Sequence, residues 1–330
     1  MRKSLALLFT TLALSLSGIH SAQAQAYPSK PIRIILGLAA GGSTDITARL
    51  LAEKLRPILG QPVVVENRPG AGTLIAAQAV AQSPADGHTL LFGGSTIGIG
   101  PYLYKAWTLD GTKDFSPITQ LVRGVTLIGV QASAPYNTLD EWIAYLRANP
   151  GKLNYANISP TDLVGFEMIK NAMGVKFETI RYGGATPAQA AVLGAQADFY
   201  AVPVGAIATS VFNTGKVKFL AVQQTERSPI MPNIPSFGES AHPELRELGK
   251  SSLQGGYWFG VGGPGGMARA VVDVLHGAAV KVSADPEWVK RMADNGLVVM
   301  TNTPEQFAAN IVAERTRFAI EAKKAGIEPL

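Results

Sequence analysis

What most constrains this chain is the order in which two hydrophobic rhythms follow one another. From residue 31 to residue 222, short β-branched runs alternate with stretches whose apolar positions fall on one helical face. "PIRIILGL" is the first strand. A helix begins at Thr44, carries Ile46, Leu50, Leu51, Leu55, Ile58 and Leu59 on one face, and closes at Gly60 and Pro62. "VVVEN", the turn "NRPGAG", the helix "TLIAAQAVAQS", the turn "PADG" and the strand "HTLLFGGS" complete a first set. A second set runs from the helix "LDEWIAYLRANPG" to the strand "VKFLAVQQ" and repeats the alternation. Such an order indicates βαβ units and an α/β fold with mainly parallel sheets. Two sets predict two rims, because ligands of open α/β sheets lie beyond the carboxyl ends of the strands.

Beyond Val222 the order loosens. "TERSPIMPNIPSFGESAHPELRELG" reads as a proline-rich connection, "YWFGVGGPGG" as a strand and a glycine-rich turn, and two helices, Met267 to Ser283 and Pro304 to Gly326, end the chain. At the other end, "MRKSLALLFTTLALSLSGIHSAQAQA" has the three parts of a secretory signal. Arg2 and Lys3 are its positive region, Leu5 to Leu16 its apolar region, and cleavage is expected after Ala24 or Ala26. The apolar run falls short of the roughly 20 residues of a spanning helix. The mature chain is therefore expected to be exported.

The remaining 300 or so residues suit two domains of ordinary size or one large one. A 47% hydrophobic and 16% charged composition is that of a globular protein. The absence of cysteine excludes disulfides, thiolate nucleophiles and cysteine metal sites together. The net charge of +5 includes Arg2 and Lys3, and the other basic residues are scattered. That excludes the clustered basic surface nucleic acid would need, while a mild positive field helps to steer small anions.

The junction "LGLAAGGSTDITARL" admits three readings. The first turn of a helix has N–H groups without intrahelical partners and a partly positive dipole end, so Gly41 and Gly42 before it can make a backbone anion seat. The same residues can be a plain connection capped by Ser43, with Asp45 merely favourable to the dipole. The third reading, a nucleotide site, fails: no lysine follows the glycines, and their spacing does not fit a dinucleotide fingerprint. Catalytic patterns are thin. Of four histidines, His20 leaves with the signal, and His88, His242 and His276 are dispersed; no serine elbow or metalloprotease motif is present. Tyr102, Tyr104, Tyr155, Tyr182, Tyr200 and Trp258 fall near strand ends, where core packing and ligand contact are both open. Arg123 and Arg181 are candidate carboxylate partners beside a solvated reading.

Taken with "YPSKPIRIILGLAAGGSTDITARLLAEKL", the stretches "GQPVVVENRPGAG", "SPADGHTLLFGGS", "PGKLNYAN", "ERSPIMPNIPSFGE", "YWFG" and "TPEQFAA" make the chain resemble the substrate-binding proteins of tripartite tricarboxylate transporters, the Bug or TctC family. The resemblance runs from Tyr27 almost to the C-terminus. It implies a two-lobed, type II periplasmic binding protein fold, each lobe a mainly parallel sheet flanked by helices, closing on a small organic carboxylate for a membrane permease. It implies no catalysis, cofactor or metal. It places ligand contacts in lobe one at Ala40, Gly41, Gly42, Ser43, Thr44 and Asp45, and at Gly94, Ser95 and Thr96. In lobe two it places them at Asn157, Ser159 and Thr161, at Tyr182, Gly183 and Gly184, and at Asp198.

This chain departs from the family in the second-lobe loops. "NISPTDLVGFE" is shorter than the usual Ser-Gly-x-Gly-Thr stretch and has Leu163 where a histidine is common; "YGG" replaces Tyr-Lys-Gly. Less polar loops point to a ligand with an apolar or aromatic portion. The expected division is 1–26 as signal, 27–127 with 255–330 as lobe one, and 128–254 as lobe two, with crossings near Gly124 to Val130 and Leu253 to Gly260. Two other roles share the same cleft: an exported hydrolase or isomerase, and a partner that presents solute to a sensor kinase.

Overall fold

The computed structural model describes residues 27–38, 40–158, 160–182, 185–204, 206–250, 256–324, 326 and 328–329. The expected signal, residues 1–26, lies outside them. β1 (Ile32–Leu36) is flanked by β2 (Val63–Asn67) and β3 (Thr89–Gly93), both parallel to it. α1 (Ser43–Leu59) and α2 (Leu74–Ala81) make the crossovers. Leu36 is in register with both Asn67 and Phe92, so the three carboxyl ends form one rim. Consecutive residues Ile34 and Ile35 are each 0% exposed, and they belong to different core clusters. Both faces of the sheet are therefore covered, which explains why Ile34, Ile35 and Leu36 stand consecutively in β1.

The second set builds a second sheet. β5 (Asn154–Asn157) lies between β6 (Glu178–Arg181) and β7 (Phe199–Pro203), parallel to both. α4 (Leu139–Ala148), α5 (Pro160–Met173), α6 (Ala185–Leu193) and α7 (Ala206–Phe212) flank it, and β8 (Val217–Val222) follows. Its core is aromatic: Trp142, Tyr155, Phe166, Phe177 and Phe199 are buried together, with Tyr155 stacked 4.0 Å from Phe166. Tyr155 and Tyr200, rim candidates in the sequence, are core residues at 0% and 1% exposure.

β4 (Phe115–Gln131) is the element the alternation did not reveal. From Phe115 to Val125 it pairs antiparallel with β9 (Gly256–Pro264), and from Thr126 to Gln131 with β7 and β8. One continuous strand thus serves both lobes and exchanges partners at a single peptide unit. The exchange is hydrogen-bonded, with Val204 N donating to Val125 O at 2.9 Å and Gln223 N to Thr126 O at 3.0 Å. Further elements that escaped the sequence reading include α3 (Thr96–Leu103), α8 (Pro243–Leu248) inside the proline-rich connection, and β10 (Leu297–Val299), which pairs with β4. The C-terminal region holds three helices, α9 (Arg269–Ser283), α10 (Pro286–Asp294) and α11 (Pro304–Lys324), where two were expected. α3 was hidden by "GIGP", poor helix formers. Gly100 is there for close approach: a Cβ would lie 2.2 Å from the buried Trp107 ring.

Candidate functional site

The first rim is built on the loop between β1 and α1. Gly42, not Ser43, occupies the N-cap, with extended backbone at φ −81 and ψ 170 and no side-chain cap. The first helical bond is Ile46 N to Gly42 O at 3.0 Å, so the N–H groups of the opening turn have no partner within the helix. Gly41 adopts φ +87, a conformation glycine accepts readily, and a Cβ at Gly41 or Gly42 would meet nothing within 4 Å. Ala40, Gly41 and Gly42 are exposed, and Thr44 is 8% exposed. The backbone donors of Gly42, Ser43 and Thr44 therefore stand at a helix N-terminus without intrahelical partners, next to glycines whose own surroundings are open, the arrangement an anion seat requires.

Asp45, expected among the ligand contacts, is held by its own loop. Its carboxylate turns inward, 4% exposed, and is occupied by its own loop. Oδ2 accepts from Gly41 N and from Arg49 Nε, each at 3.0 Å, and Oδ1 accepts from Asn67 Nδ2 at 3.0 Å. Asn67 Nδ2 also donates to Leu38 O at 2.9 Å, and Arg49 Nη2 donates to Asn67 Oδ1 at 2.9 Å. Burial by itself raises the Asp45 pKa, but the bonds from Arg49, Gly41 and Asn67 and the Arg49 charge outweigh it, and the net direction is downward. Asp45 is a clamp that shapes the loop, and it withdraws the Gly41 N–H from any seat. Asn67, the residue that ties β2 to this loop, was not among the sequence candidates.

The second segment of the rim is Gly94, Ser95 and Thr96, between β3 and α3. A Cβ at Gly94 would lie 2.7 Å from the Trp258 carbonyl oxygen, so glycine lets this loop lie against β9. The buried Ser95 hydroxyl donates to Glu314 Oε1 on α11 at 2.6 Å, and Trp258 Nε1 donates to Glu314 Oε2 at 3.0 Å. Burial pushes the Glu314 carboxyl up, against those two donors and the charge of Arg317. Sequence gave no signal for Glu314, which lies 219 positions from Ser95.

In the second lobe, Asn157 ends β5 and Tyr182 follows β6. Tyr182 N donates to Asn157 O at 2.9 Å, which brings the two strand ends together. Asn157 is 5% exposed and its Nδ2 donates to the Tyr155 hydroxyl at 3.3 Å. Thr161 is half-buried in the first turn of α5. Ser159, Gly183 and Gly184 lie outside the described residues. Asp198, also expected among the contacts, immediately precedes β7. It accepts from Asn154 N at 2.7 Å, at the start of β5, about 10 Å of extended chain from Asn157. Its negative charge acts on Tyr136, and it holds strand starts together rather than joining the rim.

Charges of the second lobe act on two tyrosines of the first. Tyr104, at the end of α3, is raised by burial against the opposing charge of Arg181 at the end of β6. The buried hydroxyl of Tyr257, at the start of β9, is raised by burial and by Asp162 in the first turn of α5. The histidines stand elsewhere. His88 contacts Ser29 and Asp86 before β3, roughly 15 Å of strand from Gly93, and His276 contacts Asn302 O at 3.1 Å. Among the described residues no group of three or more His, Asp or Glu is placed to hold a metal, and no helix is long and apolar enough to cross a membrane. Of two surface hollows, the one between α3 and α11 is lined in part by Tyr102 and the one between α5 and β6 by Arg181, and neither is lined by the rim-loop residues Ala40 to Asp45, Gly94 to Thr96, Asn157, Thr161 or Tyr182.

A family profile described as tripartite tricarboxylate transporter family receptor matches residues 47–325. The structure is similar to that of the periplasmic binding protein BugD, at 33% identity and TM-score 0.80 over 92% of this chain and 100% of that one. It is similar to a protein of R. palustris solved with adipate, at 26% identity and TM-score 0.84 over 92% of this chain and 100% of the other. MatC from Rhodopseudomonas palustris, with bound malate, is also similar, at 26% identity and TM-score 0.76 over 89% of this chain and 99% of that one.

Proposed function

The chain belongs to the tripartite tricarboxylate transporter receptor family, a family of periplasmic solute-binding proteins and not of enzymes, and from that premise we propose that it captures a small organic carboxylate between its two lobes and delivers it to a membrane permease. The observation that carries this reading is the loop between β1 and α1. Its backbone N–H groups at Gly42, Ser43 and Thr44 have no partner within the helix, while the carboxylate of the same loop, Asp45, is turned inward and satisfied. A ligand carboxylate there meets donors without meeting a bare negative charge. The relatives solved with adipate and with malate support the same ligand class.

We place lobe one at residues 27–127 with 255–330 and lobe two at 128–254. The partner exchange of β4 between Val125 and Thr126 supports the first crossing near Gly124 to Val130. The ligand stabilises closure by touching Ala40 to Thr44 and Gly94 to Thr96 on one rim and Asn157, Thr161 and Tyr182 on the other.

Thermal denaturation against mono-, di- and tricarboxylates, with the matching uncharged amides, tests the reading. A carboxylate at 100 times its Kd adds about 2.7 kcal/mol of stability. Equal stabilisation by amides would sink it. Gly42→Pro is the site-directed arm: φ −81 suits proline, and the lost N–H removes one donor from the seat. That variant is expected to keep its melting temperature and lose carboxylate binding; retained affinity would move the seat elsewhere. Delivery is tested by uptake of the identified ligand in cells lacking this protein. Loss of uptake supports transport, whereas unchanged uptake with lost transcriptional response to the ligand supports presentation to a sensor kinase.

A further inference from the structure

The Glu314 carboxylate lies beneath the candidate ligand loop and belongs to no rim. It takes both of its donors from elements that meet at the cleft: Ser95 from the loop after β3, at 2.6 Å, and the indole N–H of Trp258 from β9, at 3.0 Å. A tryptophan N–H only donates, so Oε2 is fixed as an acceptor. Oε1 then accepts the hydroxyl hydrogen of Ser95, and the short distance is that of a charge-assisted bond. A hydroxyl has one hydrogen. With that hydrogen committed to Glu314, Ser95 Oγ has only lone pairs left for anything on its other side.

Resting on the carboxylate reading above, we propose that Glu314 is a positioning residue that makes Ser95 an acceptor toward the ligand, so that the cleft selects carboxylates bearing a hydroxyl or ammonium donor near the carboxyl group. The carboxyl group sits on the N–H donors of Gly42 to Thr44, and the donor of the ligand reaches Ser95. An analogue that lacks the donor leaves the remaining lone pairs of a buried oxygen without a partner, which lowers its affinity. Gly94 keeps the geometry tight, because the loop lies directly on the Trp258 carbonyl.

The test uses matched ligand pairs that differ by one hydroxyl: propionate and lactate, succinate and malate, adipate and 2-hydroxyadipate, phenylacetate and mandelate. Calorimetry on the wild-type protein is expected to favour the hydroxy acid of a binding pair by about tenfold. In Glu314→Gln the amide oxygen must serve Trp258, so the amide nitrogen donates to Ser95 and frees its hydroxyl hydrogen toward the ligand. The preference is then expected to fall to about unity or to reverse, and Ser95→Ala is expected to remove it to the same extent. A purely structural Glu314 would weaken both members of a pair together and leave their ratio unchanged, and that result overturns the inference. A wild-type protein that binds carboxylates without preferring the hydroxy acid overturns it as well, while leaving the carboxylate reading intact. If no pair binds but the amides do, the carboxylate reading fails and takes this one with it.

Discussion

Asp45 and Glu314 are buried carboxyls within one site, and burial acts on both in the same sense, yet their net shifts oppose. Asp45 gathers three donors and the Arg49 charge and falls; Glu314 gathers two donors and rises. A carboxyl whose folded pKa lies below its unfolded value contributes stability above about pH 4, and that contribution is lost as the pH falls through the folded value. Asp45→Asn is therefore expected to cost about 1–3 kcal/mol in urea denaturation at pH 7, with the gap to wild type closing toward pH 3. A constant gap at both values would remove the carboxylate from the account. From the sequence, Asp45 could be seen only with its immediate neighbours, where an acid in the first turn of a helix fits a dipole or a ligand equally well. Its decisive partner, Asn67, is 22 positions away.

At the scale of elements, what was legible depended on whether a segment's own residues specify it. α1, β1, β2 and β3 carry their apolar periodicity and their stop signals in sequence, down to Gly60 at φ 67 closing α1. α4 announces itself with a capping box, in which the Thr138 side chain accepts from Glu141 N at 3.1 Å; Thr138→Ala is expected to lower stability by about 1 kcal/mol in a denaturant titration. α3 has no such signals and exists because α11 and Trp107 pack on it. Gly100→Ala would force a methyl into that indole, with an expected loss of about 1–3 kcal/mol measured the same way. A neutral result would show that Trp107 has room to move. β10 is three residues long and is a strand only because β4 offers it an edge.

Across the whole molecule the two lobes share more than β4. Val164 and Met168 of α5 are buried with Ile99 and Leu103 of α3 and Phe318 and Ala322 of α11, an apolar seam between the lobes. Met168 is 6% exposed, and Met168→Ala is expected to cost about 2 kcal/mol or more. Small-angle scattering of that variant without ligand should show a larger radius of gyration, returning toward the wild-type value when ligand is added; an unchanged radius would show that the seam does not hold the lobes. The sequence by itself determined the α/β class, the two sets of strands, and a glycine-rich turn at the start of α1. Those properties are local, since periodicity, caps and positive φ are set by residues close in the chain. Only the tertiary structure decided that β4 runs through both lobes, that Asp45 faces inward and Asp198 sits at the wrong end of its strand, and that Glu314 lies beneath Ser95. These are matters of which distant groups satisfy one another's hydrogen bonds once buried, and no spacing along the chain encodes that.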